Sequence, residues 1–166
     1  PLIIEKRELI KDSGGPGLKR GGLGRSSLLK IPDNDYAPRS PVNLGIQAGR
    51  YRYSPEGLFG GKHGSHASFL VNGEEGNPYT LTRLKPGDMV TMELAGGGGY
   101  GNPAERAPEM VLKDVLEDYV SLEKAKEDDG VVIDPYSKEI DEESTRALRE
   151  TMNQVYIEIV TKPFVP

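Results

Sequence analysis

The segment Ala95-Gly-Gly-Gly-Gly-Tyr-Gly-Asn-Pro103 divides the chain into two parts with different hydrophobic periodicity. Before it, apolar residues alternate with other residues in short runs such as 42–48, which is typical of a strand with one buried face. After it, apolar residues within 108–119 recur at intervals of three and four, which indicates a helix. We therefore predict an α+β fold, in which a mainly antiparallel β body with glycine-rich loops (about residues 1–100) precedes a small helical part. As domains, we expect a β-rich unit at 1–104 and a helical appendage at 105–166 that packs on it.

Turn and cap residues support this division. Two turn pairs, Asn72-Gly73 and Pro86-Gly87, separate predicted strands, because glycine accepts the positive φ that such turns need. In the second part, Ser121 and Gly130 are suited to begin and end one helix, and Asp141 to begin another. The predicted strands are 2–11, 27–31, 42–53, 69–71, 79–84 and 89–94, and the stretch 155–160 fits either a helix or a strand.

Composition excludes several classes of protein. The 166 residues include 21 glycines and no cysteine, so there is no disulfide scaffold, cysteine-ligated metal site or cysteine nucleophile. No run of about 18 apolar residues predicts a transmembrane helix. The net charge of −5 divides into +3 for residues 1–100 and −8 for 101–166, without the clustered positive face that nucleic-acid binding needs. The acidic part is predicted to be a solvated helical face or, less favourably, a docking surface for a basic partner.

The glycine segments allow more than one role. Residues 96–101 formally match the dinucleotide pattern G-x-G-x-x-G, but Asn102-Pro103 stands where the helix would have to begin, which argues against a cofactor site. The glycines could instead serve close chain approach, or present N–H groups to an anion. The same alternatives apply to 12–24, where Lys19 and Arg20 add positive charge.

No full catalytic set is apparent in the sequence. His63 and His66 have a spacing that could serve a metal or a proton transfer, but no acidic or thiol ligand is near them in sequence, so two solvated loop histidines are favoured. Adjacent carboxylates such as Asp128-Asp129 and Glu142-Glu143 are predicted to face solvent.

Five segments, in their order along the chain, resemble the C-terminal part of the hydantoinase B/5-oxoprolinase family, which includes related acetone and acetophenone carboxylase subunits. They are Asp12-Ser-Gly-Gly-Pro-Gly-Leu-Lys-Arg-Gly-Gly-Leu-Gly24, Gly57-Leu-Phe-Gly-Gly-Lys62, Leu84-Lys-Pro-Gly-Asp88, Gly96-Gly-Gly-Gly-Tyr-Gly-Asn-Pro103 with Glu105-Arg106, and Gly130-Val-Val-Ile-Asp134. The resemblance spans nearly the whole chain. It implies a cytoplasmic, ATP-dependent hydrolase acting on cyclic amides, of which this chain is a C-terminal fragment that is inactive alone.

The resemblance also implies partners and a site. An ATP-binding A-type subunit, with ATP and Mg, would phosphorylate the lactam oxygen, and the B-type chain would handle the activated small-molecule substrate. We expect the remainder of the B-type subunit and an oligomer, and neither nucleic acid nor membrane as partners. The alternatives are a ketone carboxylase subunit and a non-catalytic assembly domain. Residues suited to a substrate or anion site are Gly14, Gly15, Lys19, Arg20, Gly60, Gly61, Lys62, Gly97, Gly98 and Tyr100. We predict no cofactor or metal in this segment, and His63 stands where the family often has proline.

Overall fold

The computed structural model describes residues 2–46 and 49–161. The first hundred residues form strands and the rest form helices, which confirms the predicted α+β class. The strands are β1 (Ile3–Leu9), β2 (Arg25–Lys30), β3 (Val42–Leu44), β4 (Ser68–Val71), β5 (Glu74–Glu75), β6 (Thr82–Leu84) and β7 (Met89–Leu94). The helices are α1 (Pro108–Leu116), α2 (Leu122–Asp129) and α3 (Glu142–Thr161).

The strands form two antiparallel sheets over one core. Five strands have the order β1-β2-β7-β4-β5, and β3 pairs with β6 in a separate two-stranded ribbon, with Val42 opposite Leu84. The core beneath them is built from Ile31, Phe69, Leu84 and Val90, each at most 2% exposed. Of the predicted strand 42–53, residues 47 and 48 lie outside the described part of the chain. Among the described residues the strand is too long, because pairing ends at Leu44, although Ile46 still packs against the core.

Three glycine segments lie side by side at the end of the large sheet. The central segment, 96–101, follows β7 directly, and it contacts the first segment, 13–24, on one side and the second segment, 57–64, on the other. We refer to this arrangement as the glycine core. Most of its contacts are between backbones, and the side chains of Ser13 and Ser65 accept hydrogen bonds from Gly24 N and Gly96 N at 2.8 and 3.1 Å.

Backbone hydrogen bonds join the central segment to both neighbours. Toward the first segment, Gly15 N donates to Gly97 O and Gly97 N donates to Gly22 O, each at 2.8 Å. Toward the second segment, Gly99 N donates to Lys62 O at 2.9 Å. Buried backbone groups need such partners.

The close approach of the three segments requires glycine. A Cβ at Gly96 would lie 1.9 Å from Ser13 O, and one at Gly98 would lie 1.9 Å from Glu56 O. No side chain fits at these distances, so the interpretation of the glycines as residues of close chain approach is confirmed at these positions.

The predicted caps of the second and third helices are present, whereas α1 ends at Leu116, before the predicted end at about residue 119. Ser121 Oγ accepts from Lys124 N at 3.1 Å to begin α2, and Gly130 ends it in the left-handed conformation with φ 65°. Asp141 Oδ1 accepts from Ser144 N at 3.0 Å at the start of α3, which continues to Thr161 and excludes the strand alternative for 155–160. Among the described residues, no helix combines the length and apolarity needed to cross a bilayer.

A buried cluster of charges, which we call the arginine cluster, joins the glycine core to the helices. Arg20 donates from Nε to Asp114 Oδ2 at 3.0 Å and from Nη2 to Asp129 Oδ2 at 2.5 Å. Arg106 also donates to Asp114 Oδ2, at 3.0 Å. Arg149 donates to the backbone oxygens of Asp129 and Arg106, at 3.1 and 2.7 Å. Elements that lie far apart in sequence are thereby linked.

The burial of Asp129 corrects the prediction that the Asp128-Asp129 pair faces solvent. Asp129 is 0% exposed, and its Oδ1 has no hydrogen-bond partner among the described residues. Burial raises the pKa of Asp129 from 3.8 to about 6, and this effect outweighs the opposing attraction to Arg20. The helix ends at Gly130, so Asp129 lies where the chain turns back onto the core.

Replacing Gly21 with alanine tests the glycine core. The new Cβ would lie 2.0 Å from Gly97 O, so we expect Gly21→Ala to lower the free energy of unfolding by about 3 kcal/mol or more. Gly22→Ala is the matched control, since nothing lies within 4 Å of its Cβ position. We expect that change to be neutral or stabilising by under about 1 kcal/mol. Urea unfolding measures both, and equal effects would show that close approach does not constrain Gly21.

The pH dependence of stability tests the state of Asp129. Because its folded pKa is raised above 3.8, its contribution to stability is complete below pH 3.8 and is lost as the pH rises through about 6. Asp129→Asn keeps an oxygen acceptor for Arg20 but does not titrate. We expect the stability of the wild type relative to this variant to fall by about 2 kcal/mol between pH 4 and 7. A relative gain over that range in urea unfolding would mean that attraction to Arg20 prevails over desolvation.

Candidate functional site

The glycines of the predicted anion site lie together, but many of their N–H groups bond within the protein. Gly15 N and Gly97 N donate to carbonyl oxygens of neighbouring glycine segments, and Gly61 N donates to Leu58 O at 3.0 Å. An anion at these three positions would compete with bonds already present. The predicted glycines Gly14, Gly15, Gly60, Gly61, Gly97 and Gly98 all belong to the glycine core.

The three predicted cations differ in their surroundings. Arg20 lies in the arginine cluster, with a side chain 9% exposed and its charge matched by Asp114 and Asp129. Lys62 Nζ pairs with Asp128 Oδ1 at 2.7 Å on the surface. Lys19 is exposed, and its backbone forms a two-way bridge with Tyr100. The structure therefore gives these cations separate environments rather than one shared site.

A cleft beside Lys62 offers polar groups of both charges. It has a volume of about 240 Å³ and lies between the second glycine segment and α2. Asp128 accepts from Lys62 and lies 3.8 Å from Lys124 Nζ, and Asp12 Oδ1 accepts from Ser121 N at 2.7 Å. The two ammonium groups are thus balanced by two carboxylates, so a dianion would have to displace Asp128 from Lys62 to bind here. The lining residues are Asp12, Pro16, Lys62, His63, Gly64, Ser65, Lys124 and Asp128.

His63 borders this cleft. Its Nδ1 lies 3.0 Å from Gly64 O, so a proton on Nδ1 would donate to that carbonyl. His63 and His66 are both exposed, as predicted for solvated loop histidines.

Tyr100 forms an aromatic pair on the surface of the glycine core. Its ring centroid lies 5.2 Å from that of Phe59, with the planes tilted by 58°. Phe59 has φ 51°, an uncommon backbone conformation for a bulky residue. The pair therefore adds an exposed aromatic contact between the second glycine segment and the central one.

The sequence did not reveal which charged residues the fold buries. Asp114, Arg106 and Arg149 join Arg20 and Asp129 in the arginine cluster. Asp114 and Arg149 resemble ordinary helix-surface residues in the sequence, and Arg106 lies in the short link before the first helix. A cleft of about 340 Å³ lies next to Arg20, Arg106 and Asp114. Within residues 2–46 and 49–161, no three side chains of the metal-binding types converge to hold a metal ion.

Comparison with known proteins identifies relatives of this chain. It is 34% identical over 158 residues to a protein of Pseudomonas sp. (strain NS671) provisionally named as the B-type subunit of a D-/L-hydantoinase. It is 35% identical over 159 residues to the beta chain of caprolactamase from Pseudomonas jessenii. Each match covers 90% of this chain, and the chain spans about a quarter of the length of these curated relatives.

Solved structures and a family-level match agree with these relatives. The ATP-dependent caprolactamase of Pseudomonas jessenii matches with a TM-score of 0.74 and 32% identity, over 90% of this chain and 26% of that one. A nucleotide-free acetone carboxylase matches with a TM-score of 0.71 and 25% identity. This match covers 100% of this chain and 26% of the acetone carboxylase chain. The family described as hydantoinase B/oxoprolinase matches residues 1–103, more than half of the chain. The chain therefore belongs to the hydantoinase B/oxoprolinase family.

Proposed function

We propose that this chain is the C-terminal segment of a B-type subunit of an ATP-dependent hydrolase that opens cyclic amides. The observation that carries the proposal is the 34–35% identity, over nine-tenths of the chain, to one subunit of a hydantoinase and one of a caprolactamase. Both names describe subunits, so the proposal includes a partner subunit. In this proposal the partner binds ATP and Mg, as the family resemblance implies.

The chemistry explains why two subunits would share the work. A cyclic amide is a poor electrophile, and transfer of a phosphoryl group from ATP to its oxygen, with release of ADP, makes the ring carbon more electrophilic. The B-type subunit would then hold this anionic intermediate while water adds to the ring carbon and the carbon–nitrogen bond breaks, with a proton passing to the nitrogen. A second water would release phosphate from the resulting acyl phosphate. This chain would supply part of the binding surface, and it would be inactive without the rest of the enzyme.

Exposed apolar residues support packing against a larger assembly. All seven residues of β1 are exposed, and β1 is an edge strand of its sheet. Leu2, Ile4 and Leu9 are each more than 50% exposed. An open edge with apolar side chains favours pairing with another chain segment.

A ketone carboxylase subunit is the second candidate, because acetone carboxylase matches the whole chain with a TM-score of 0.71. The lower identity, 25% against 32% for caprolactamase, favours the hydrolase. A purely structural assembly domain, docking through its acidic helices, is the third.

Activity of the complete enzyme distinguishes these candidates. The longer B-type subunit that contains this chain would be purified with its ATP-binding partner and supplied with hydantoin, 5-oxoproline, caprolactam, or acetone plus bicarbonate. We expect ATP-dependent ring opening of at least one cyclic amide. Bicarbonate-dependent consumption of acetone without ring opening would contradict the hydrolase and support the carboxylase.

The role of Lys62 can be tested in the same enzyme. If its ammonium group contacts the anionic intermediate, Lys62→Ala lowers kcat/KM about tenfold with the subunits still assembled, because a charge-assisted hydrogen bond is lost. Lys126→Ala, which removes the same charge from the exposed surface of α2, is the matched control and is expected to leave kcat/KM unchanged. Unchanged turnover of the Lys62 variant would limit that residue to its surface pair with Asp128.

A further inference from the structure

A cleft at one end of the β3–β6 ribbon is lined by three cations and by no carboxylate. Its volume is about 420 Å³, and Arg39, Arg83 and Lys85 contribute the charges. The chain as a whole carries a net charge of −5, so a cleft with this concentration of positive charge stands out from the rest of the protein. The remaining lining residues are Pro38, Ser40, Pro41, Leu84 and Pro86.

The three cations are not ion-paired with acidic groups of the described chain. None of them takes part in a salt bridge within residues 2–46 and 49–161. The nearby Asp33 pairs with Lys30, with 3.1 Å between Nζ and Oδ1. The buried Asp88 accepts from the backbone N of Lys85 at 2.8 Å and from Asn72 at 3.0 Å. Neither carboxylate forms a salt bridge with the three cations, although the charge of Lys85 also helps to lower the pKa of Asp88, after the hydrogen bonds from Lys85 N and Asn72.

The backbone around the cleft is restrained. Leu84 pairs with Val42 and is a core residue that is only 2% exposed. Arg83 and Lys85 are its neighbours in the chain, so the backbone that carries them is held in place. Pro41 and Pro86 flank the pair of Val42 and Leu84, and each has a fixed φ. The cations are thus carried on a scaffold that loses little conformational freedom when a ligand binds.

We propose that this ribbon cleft binds the phosphate group of a small molecule. Guanidinium groups match phosphate oxygens with paired hydrogen bonds, and a third cation suits a group with two negative charges. If the proposed function holds, the phosphorylated intermediate or the released phosphate is a natural occupant. The binding itself does not depend on that function.

Direct binding of inorganic pyrophosphate and phosphate to the 166-residue chain tests the proposal. Isothermal titration calorimetry and amide NMR shifts are expected to give a dissociation constant on the order of 1 mM or lower for pyrophosphate. In the wild type, the amide NMR shifts caused by pyrophosphate are expected to centre on residues 38–41 and 83–86. Arg83→Gln and Arg39→Gln are each expected to weaken pyrophosphate binding about tenfold. Comparing the affinity of phosphate with that of phosphoserine separates a free-phosphate site from one for a phosphorylated molecule.

Arg52→Gln is the matched control, because it removes one exposed guanidinium outside the cleft. Its Cζ lies 5.4 Å from the ring centroid of Tyr79, and neither residue lines the ribbon cleft. We expect this variant to bind pyrophosphate within about twofold of the wild type.

Three results would overturn the proposal. The first is the absence of both binding heat and amide NMR shifts at about 10 mM pyrophosphate, roughly tenfold the expected dissociation constant. The second is an equal loss of affinity in Arg52→Gln and Arg83→Gln. The third is binding of a poly-glutamate peptide that pyrophosphate does not displace. The last would make the cleft a docking surface for an acidic protein segment. These measurements use neither ATP nor a partner subunit, so their failure is distinguishable from failure of the proposed enzyme activity.

Discussion

Backbone-to-backbone contact among three glycine segments is the constraint on which the rest of this structure depends. The central segment contacts a neighbour on each side, and at Gly96, Gly98 and Gly99 the distances exclude a Cβ atom. Since side chains are excluded at these positions, much of the cohesion comes from backbone hydrogen bonds such as those of Gly15, Gly97 and Gly99. The last strand of the large sheet, β7, continues into the glycine core, and the chain then leads from the glycine core to the helices.

The attachment of the helices follows from that same core. Arg20 emerges from the first glycine segment and reaches Asp114 and Asp129, which lie on α1 and α2. Buried ion pairs contribute little net stability compared with apolar packing, but removing one partner leaves an uncompensated charge. The arginine cluster therefore fixes the position of the helices more than it stabilises them.

The sequence predicted features set by local chemistry and missed those set by long-range contact. The caps at Ser121 and Gly130 and the turn at Gly87 depend on neighbouring residues, and all three are confirmed. The burial of Asp129 depends on Arg20, 109 residues away, so adjacent acidic residues carried no signal for it. Likewise, the alternation in 42–48 predicted an apolar face, and Val42, Leu44 and Ile46 pack against the core, but the pattern did not show where pairing with β6 ends.

The same distinction bears on where an anion could bind. Glycine next to lysine and arginine in sequence predicts an anion site, and the glycine core contains both. Yet the fold decides which groups remain available to a ligand. Gly15 N and Gly97 N donate to carbonyl oxygens of the protein, and Arg20 and Lys62 form salt bridges with carboxylates. Positive charge that stays available instead gathers at the β3–β6 ribbon, from residues too far apart in sequence to form a motif. Because an anion gains most from cations that it does not have to share, the ribbon cleft is the stronger physical candidate.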